Sequence, residues 1–271
     1  MKIEDLDTKE EKTWCIGCTN NGILLAVKQA IVDLVNSNKI KLNNLVIATG
    51  IGCHAKIYGR VIPTLLGIKL ANPQLTLIGF GGDGDTYAEG MSHFVHACRY
   101  NVDMTMIVHN NQTFALTTGQ ATPTSEIGFK GKSTPFGTTE RPINPIALAL
   151  ASGATFIARG YALDVEHLKN IIKAGIEHKG FSFIDILQPC LTYHNTISYF
   201  KDRFYKIENH DNYENALKEA LKWDYSLDEN AKIPIGIFYK VNKRIYMESS
   251  QKTPLYKIKR EMNLNVLEEF R

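Results

Sequence analysis

One acidic residue stands between two glycines where an apolar run ends. Gly82 and Gly84 flank Asp83, and glycines let a backbone approach a ligand closely, while the amides that open a helix attract anions. Asn111 follows the next apolar run, and the backbone carbonyl of Thr113 lies two residues further on. Mg²⁺ takes carboxylate, amide and carbonyl oxygens together with phosphate oxygens. These residues therefore predict a site for Mg²⁺ and a bound phosphate group.

The elements that must position these residues form one βαβ unit. Residues 75–80 and 104–108 are short apolar runs typical of buried strands, and residues 87–100 have helical spacing. The crossover connection of such units is right-handed, and the loops that follow their strands lie at the carboxyl edge of a parallel sheet. The end of each strand should therefore lie beside the end of the other.

The same alternation continues on both sides of this unit. Residues 45–49, 156–161 and 181–187 are predicted strands; residues 60–72, 146–151 and 165–178 are predicted helices. This pattern predicts an α/β fold with a doubly wound, mainly parallel sheet. The long stretch 120–145, rich in Gly, Pro, Thr and Ser, is predicted to be an ordered loop near the active site and the partner surface.

Four of the five cysteines lie at turns or at the ends of elements. Cys15 and Cys18 form a C-x-x-C turn before a predicted helix, a place that lowers thiol pKa values and suits metal ligation. The motif alone is equally consistent with a thioredoxin-like redox pair or half of a zinc site. Cys53 follows a strand and Cys190 follows another, whereas Cys98 lies on the apolar side of a helix and is predicted to be a core residue. Four such thiols could hold zinc or a four-iron four-sulfur cluster, and their spacing does not separate the two.

These motifs together resemble a known family. Gly-Asp-Gly followed by Asn-Asn is similar to the magnesium–diphosphate motif of thiamine-diphosphate enzymes. Combined with Trp14-Cys15, Gly50-Ile51-Gly52-Cys53 and Pro189-Cys190, it resembles the β subunit of 2-oxoacid:ferredoxin oxidoreductases. Further matching stretches cover residues 67–73, 116–120, 123–125, 128–130 and 180–183, so that the resemblance extends from 14 to 195. The family pattern commonly has a longer segment where residues 56–60 stand here.

The resemblance implies a fold of the thiamine-diphosphate-binding type and two cofactor sites. Cys15, Cys18, Cys53 and Cys190 would hold a 4Fe-4S cluster, while Asp83, Asn111 and Thr113 would bind Mg²⁺. Thiamine diphosphate would contact the residues that line its site, namely Gly52, Cys53, Gly82, Asp83, Gly84, Asp85, Asn111, Leu116 and Thr117. Asp85 is equally suited to capping the helix at Thr86.

Lys56 is the candidate catalytic residue. It follows Cys53 by three residues, so it should lie near both cofactors and pair with a substrate carboxylate; the alternative is a solvated loop lysine.

The activity that the resemblance implies is coenzyme A-dependent oxidative decarboxylation of a 2-oxoacid, with electrons passing through the cluster to ferredoxin. An α subunit would supply the Glu that activates the cofactor, so this chain should be inactive alone. Two alternatives stay open. One is a cluster-free thiamine-dependent decarboxylase or lyase, and the other is a zinc-binding, non-catalytic scaffold subunit in which residues 82–84 are only a turn.

Composition narrows the class of protein. The chain has 271 residues, of which 44% are hydrophobic and 22% charged, enough for one sizeable core. A net charge of +3 without a long basic run does not indicate nucleic-acid binding. No apolar stretch approaches the ~18–20 residues of a membrane span, and the charged N-terminus is not typical of a signal peptide. We therefore expect a cytoplasmic protein without a membrane partner, in which the odd number of cysteines favours metal or redox chemistry over disulfides.

The pattern changes beyond residue 195. We expect an α/β domain over 1–195, binding thiamine diphosphate and the cluster, and a C-terminal extension over 196–271 that contacts the partner subunit. Within the extension, residues 213–223 are a predicted helix, and 233–241 and 244–247 are a predicted strand pair. The segment looks too polar for a second core.

Overall fold

A computed structural model of the chain describes residues 1–10, 12–50, 52–53, 58–207, 211–246 and 253–258. One sheet runs through this described part. Its strands are β1 (Leu45–Thr49), β2 (Thr76–Gly82), β3 (Met104–Asn110), β4 (Phe156–Tyr161), β5 (Phe181–Leu187), β6 (Phe204–Ile207) and β7 (Ile233–Lys240).

The strand order is β1-β2-β3-β5-β4-β7-β6. Strands β1 to β5 are parallel; β7 runs antiparallel to β4, and β6 is parallel to β7. The prediction of a mainly parallel α/β sheet is confirmed. Because β1, β2, β3 and β5 end at one edge, the residues that follow them are brought together there.

Helices cover both faces of the sheet. They are α1 (Asn20–Asn36), α2 (Val61–Ala71), α3 (Met91–Tyr100), α4 (Pro145–Ala151), α5 (Val165–Glu177), α6 (Ile197–Phe200) and α7 (Tyr213–Ala220). One core joins α2, α3, α4 and α7 to the sheet, and a second core joins α1 and α5 to the opposite face. Consecutive strand residues alternate between the two cores, as in Leu77 and Ile78, because successive side chains point to opposite faces. Cys98 is fully buried in the first core, as predicted.

Two predicted boundaries near the glycine turn differ from the structure. Strand β2 continues through Gly81 and Gly82, which pair with Val108 and His109 of β3. The predicted helix 87–100 is divided into a π-helical turn, Asp85–Glu89, and the α-helix α3. Turns of this kind often occur at functional sites. The extra pairing carries β2 to within one residue of Asp83.

The C-terminal extension contributes more structure than its composition indicates. It supplies β6 and β7 to the main sheet, and its aromatic residues form a third apolar cluster in which Phe200, Trp223 and Tyr225 are almost completely buried. The expectation that it is too polar for a core is wrong, because aromatic rings separated in the chain converge beside the end of β5. The predicted strand over 244–247 is also wrong, because residues 244–246 are irregular. Met247 lies outside the described residues. The division at residue 195 stays a prediction.

Within the described ranges, the structure contains no helix that is both long and apolar enough to cross a membrane.

Candidate active site

Ten of the predicted site residues line one cavity of about 600 Å³ at the carboxyl edge of the sheet. They come from the end of β2 and from the segments that follow β1, β2 and β3: Gly52, Cys53, Gly82, Asp83, Gly84, Asp85, Asn111, Thr113, Leu116 and Thr117. Lys56, the candidate catalytic residue, lies outside the described residues. The fold thus brings together the part of the predicted cofactor site that the structure describes.

Asp83 is buried in the wall of this cavity, with 2% of its surface exposed. Its Oδ2 accepts hydrogen bonds from the hydroxyls of Thr122, at 2.6 Å, and Thr124, at 2.8 Å. Burial raises the pKa of Asp83 to about 6, even though these bonds and the Gly84 amide favour the charged form. A divalent cation at the carboxylate would favour the charged form further. Asp83 is therefore suited to ligate Mg²⁺.

Asn111 and Thr113 form a tight turn directly after β3. The side-chain oxygen of Asn111 accepts the amide of Thr113 at 3.1 Å, and the Thr113 carbonyl accepts the amide of Ala115 at 2.9 Å. Gln112 between them has a left-handed backbone (φ 57°), which makes the turn possible. Each oxygen keeps a second lone pair. Asp83, Asn111 and Thr113 all line the cavity. A carboxylate, an amide and a backbone carbonyl oxygen are a donor set that fits Mg²⁺ completed by phosphate oxygens.

Gly84 is required by close packing. A Cβ at this position would lie 2.1 Å from Cε1 of Phe114. The next residue, Asp85, is 3% exposed, accepts the backbone amide of Gly59 and lies on the cavity wall. Its carboxylate thus holds the segment after β1 against the glycine turn.

The stretch from Phe114 to Gln120 closes one side of the cavity as a small hairpin. Phe114 and Gln120 pair through an antiparallel bridge, and the hydroxyl of Thr117 donates to the side chain of Gln120 at 2.6 Å. Leu116 is 55% exposed at the cavity mouth. An apolar, open side chain there suits contact with a large organic ligand.

The four predicted cluster cysteines line a second, smaller cavity of about 240 Å³. It adjoins the first, because the two share wall residues: Asn20, Cys53, Asn111, Ala115, Leu116 and Gln188. Cys53 belongs to both cavities. A group held by the cysteines would therefore be a neighbour of a ligand in the larger cavity.

Hydrogen bonds tie the cysteine-bearing segments to one another. The indole nitrogen of Trp14 donates to the carbonyl of Cys53 at 2.7 Å. Thr19, at the start of α1, donates to the carbonyl of Pro189 at 2.8 Å, which anchors the residue before Cys190. Three segments that are distant in the chain thus meet around one cavity.

The electrostatics of the thiols differ from the sequence-based expectation. Burial raises the pKa of the Cys18 thiol; the backbone amide of Asn20, at the start of α1, opposes this, and the charges of Cys15 and Cys190 add to the rise. Burial also raises the pKa of the Cys53 thiol, and the charges of the other three cysteines raise it further. The predicted net lowering of the pKa is therefore wrong for Cys18, because burial outweighs the effect of the amide that opens the helix. A cationic group among these sulfurs would favour the charged form of Cys18 and Cys53.

The described residues contain no group of three or more His, Cys, Asp and Glu side chains suited to a single metal ion. The four cysteines line one cavity, and this donor set fits a 4Fe-4S cluster.

A buried polar network behind Asp83 was missed by the sequence analysis. Thr124 Oγ1 lies 2.9 Å from Oδ1 of Asn110, whose amide donates to Asp185 at 3.1 Å. Tyr225 donates to the same carboxylate at 2.6 Å, and Arg159 Nε lies 3.9 Å from it. The available signal was an Asp and an Arg inside two apolar strands, since buried charges normally occur in pairs.

Family models match most of the chain. The model described as thiamine pyrophosphate enzyme, C-terminal TPP binding domain matches residues 34–186. The model that describes the C-terminal part of the pyruvate ferredoxin oxidoreductase beta subunit matches residues 190–254. The second match falls almost entirely on the C-terminal extension.

Curated relatives and a solved structure agree with these matches. The chain is 45% identical to the 2-oxoacid:ferredoxin oxidoreductase subunit beta of Saccharolobus solfataricus, over 85% of this chain and 82% of the relative. It is 32% identical to the 2-oxoglutarate synthase subunit KorB of Archaeoglobus fulgidus, over 93% and 94% of the two chains. The solved structure is a 2-oxoglutarate:ferredoxin oxidoreductase from Magnetococcus marinus with 2-oxoglutarate, coenzyme A and succinyl-CoA bound. It is 31% identical, with a TM-score of 0.84 over 91% of this chain and 87% of that one. The chain therefore belongs to the oxidoreductase family of 2-oxoacid:ferredoxin oxidoreductase β subunits.

Proposed function

We propose that this β subunit binds both thiamine diphosphate with Mg²⁺ and a 4Fe-4S cluster. With an α subunit, it would carry out coenzyme A-dependent oxidative decarboxylation of a 2-oxoacid and pass the electrons to ferredoxin. The observation that carries the proposal is the pair of adjoining cavities, one bordered by the Asp83 and Asn111 oxygens and the other by four cysteines.

The larger cavity would hold thiamine diphosphate. Asp83, Asn111 and the Thr113 carbonyl would ligate Mg²⁺, and the close backbone of Gly82 and Gly84 would accept the diphosphate. When bound, thiamine diphosphate supplies the carbanion chemistry needed for decarboxylation.

The remaining wall of this cavity would orient the organic part of the cofactor and the substrate. Leu116 and Thr117 would border the thiazolium, and their hairpin would limit the entry of water. Lys56 would pair with the substrate carboxylate. It stays a prediction, since it lies outside the described residues.

The smaller cavity would hold the cluster through Cys15, Cys18, Cys53 and Cys190. When bound, a 4Fe-4S cluster accepts and releases single electrons. Because Cys53 borders both cavities, its backbone would bring the two cofactors close together.

The partner subunit is the second requirement. The relatives are named as β subunits of oxidoreductases, which implies an α partner. We propose that residues 196–271 contact this partner and that it supplies the Glu that activates the cofactor. Ferredoxin, coenzyme A and a 2-oxoacid would then be the reaction partners of the assembled enzyme.

Two alternatives are less well supported. A zinc-binding scaffold does not explain the match to a thiamine pyrophosphate binding domain or a cavity built around Asp83. A cluster-free thiamine lyase does not explain why four cysteines from three separate segments converge on one cavity.

The test is an anaerobic assay of the complex with its α partner, supplied with coenzyme A, ferredoxin and either pyruvate or 2-oxoglutarate. We expect 2-oxoacid-dependent ferredoxin reduction that Cys15→Ser abolishes, while thiamine diphosphate stays bound. Cys98→Ser, a core cysteine outside both cavities, is the matched control and should retain the activity. Decarboxylation that continues unchanged in Cys15→Ser, without ferredoxin reduction by the wild type, would support the cluster-free lyase instead.

A further inference from the structure

His194 connects the cysteine cavity to the magnesium turn. It lies in the hairpin that follows Cys190, and the two residues pair backbone to backbone, with N–O distances of 3.1 and 3.0 Å. Nδ1 of its ring lies 3.2 Å from the carbonyl oxygen of Asn111. One residue therefore contacts a candidate cluster ligand through its backbone and a candidate magnesium ligand through its side chain.

The other side of the ring is anchored in the long loop. Nε2 of His194 lies 3.0 Å from Oε1 of Glu126, and the ring packs edge-on against Phe129, with 5.1 Å between ring centroids. The side chains of His194 and Glu126 are both about one-tenth exposed. Thr138 donates to the Glu126 carbonyl at 2.6 Å, which fixes that part of the loop. The ring thus has little freedom to rotate.

The Asn111 carbonyl and the Glu126 carboxylate determine the hydrogen bonding of the His194 ring. The Asn111 carbonyl can only accept, so Nδ1 must carry the proton that is donated to it. Nε2 faces a carboxylate oxygen of Glu126. Both ring nitrogens are therefore engaged by fixed oxygens of two other segments.

We propose that His194 is a positioning residue that holds the magnesium turn and the Cys190 hairpin in one fixed arrangement. A change at this residue should then disturb both cofactor sites at once, although its side chain would bind neither group. The inference rests on the proposed function, because it assumes that both groups bind where the two cavities lie.

The test uses the complex with the α partner, prepared anaerobically, and two readouts that do not depend on turnover. The first is the Mg²⁺ concentration needed for thiamine diphosphate binding, and the second is the electron paramagnetic resonance spectrum of the reduced cluster. His194→Phe keeps an aromatic ring at this position but removes both polar contacts. We expect about tenfold weaker Mg²⁺ binding, since losing a partner of a metal ligand typically has such an effect, together with altered g values.

Two further variants separate positioning from general destabilisation. His194→Asn places an amide near the position of Nδ1, so it can donate to the Asn111 carbonyl and should recover most of the Mg²⁺ affinity. His178→Phe is the matched control: His178 is also a buried histidine, bonded to Thr155 at 2.8 Å, but it lies at the amino edge of the sheet. We expect it to change neither readout.

Unchanged Mg²⁺ affinity and an unchanged spectrum in His194→Phe would overturn the inference while leaving the proposed function intact. Equal changes in His178→Phe would also overturn it, because the effect would then be one of general stability. A wild-type complex that binds neither group would overturn the proposed function and this inference with it.

Discussion

The hydroxyl oxygen of Thr124 lies 2.8 Å from Oδ2 of Asp83, although 41 residues separate them in the chain. Thr122 approaches the same oxygen at 2.6 Å. Both threonines belong to the long loop between β3 and α4. The orientation of the candidate magnesium ligand is therefore determined by a segment outside the glycine motif.

The first prediction concerns this contact. Thr124→Val keeps the volume of the side chain but removes the hydroxyl, so the Asp83 carboxylate loses one of the groups that orient it. We expect Mg²⁺ binding in the presence of thiamine diphosphate to weaken about tenfold, as measured by calorimetric titration of the complex.

Thr105→Val is the control for this variant. Thr105 is another buried threonine, and its hydroxyl donates to the Gly175 carbonyl at 3.2 Å, away from the cavity. The role of Thr124 would be contradicted if both variants bound Mg²⁺ equally well.

The second prediction concerns the buried charges behind the site. Arg159 and Asp185 are both fully buried, and burial raises the pKa of Asp185 although Arg159 and Tyr225 act against this. Arg159→Met leaves the carboxylate without its cation, so we expect the free energy of unfolding to fall by about 3–5 kcal/mol. Denaturant unfolding of the complex would measure this.

Removing both charges gives the complementary result. Arg159→Met with Asp185→Leu should be less destabilised than Arg159→Met alone, because no unpaired buried charge remains. Arg203→Met is the control on a more exposed arginine, which donates to the Tyr199 carbonyl, and its effect should be smaller. A single variant as stable as the wild type would show that the pair is not needed.

The fold could be predicted where apolar runs are continuous. Strands β1, β4 and β5 have the predicted bounds because each is a short, mainly apolar run. Strand β6 was missed, since its four residues mix aromatic and charged side chains and pair on one side only. The antiparallel placement of β7 depends on tertiary packing that no local pattern specifies.

The candidate site, too, could be predicted only where a local sequence pattern specifies it. Asp83 and Asn111 could be recognised because a motif places them at the ends of neighbouring strands. Thr122, Thr124 and His194 could not, because their positions depend on the path of a long irregular loop and of a hairpin. Those paths follow from side-chain contacts between distant segments, which have no periodic signal in the sequence.

The third prediction concerns the wall of the cysteine cavity. Trp14 is half-buried, lines this cavity and donates to the Cys53 carbonyl at 2.7 Å. Trp14→Phe removes the hydrogen bond and part of the apolar cover, so we expect the cluster absorbance to decay several-fold faster when the complex is exposed to air. Trp223→Phe makes the same change in the third apolar cluster, away from the cysteines. Equal decay rates for the two variants would argue against a protective role.

The fourth prediction concerns pH. Burial lowers the pKa of His178 from 6.5 to about 4; Lys240 and Lys179 also disfavour its charge, and Asp103 favours it. The unfolded chain therefore binds this proton more readily than the folded one. The contribution of neutral His178 to the free energy of unfolding is fully present above pH 6.5 and is lost as the pH falls towards 4.

The measurement is the unfolding temperature of the complex at pH 7 and at pH 5. His178→Gln has no such proton to bind, so its unfolding temperature should fall less on acidification than that of the wild type. His96→Gln, on the exposed side of α3, should behave as the wild type does. An equal fall in His178→Gln and the wild type would be inconsistent with a buried neutral His178.

The most direct measurement is the content of iron, sulfide and thiamine diphosphate in the chain purified anaerobically with its α partner. We expect about four iron, four sulfide and one thiamine diphosphate per chain, the content of one cluster and one cofactor. Thiamine diphosphate without iron would contradict the cluster site, and zinc without thiamine diphosphate would contradict the catalytic function altogether.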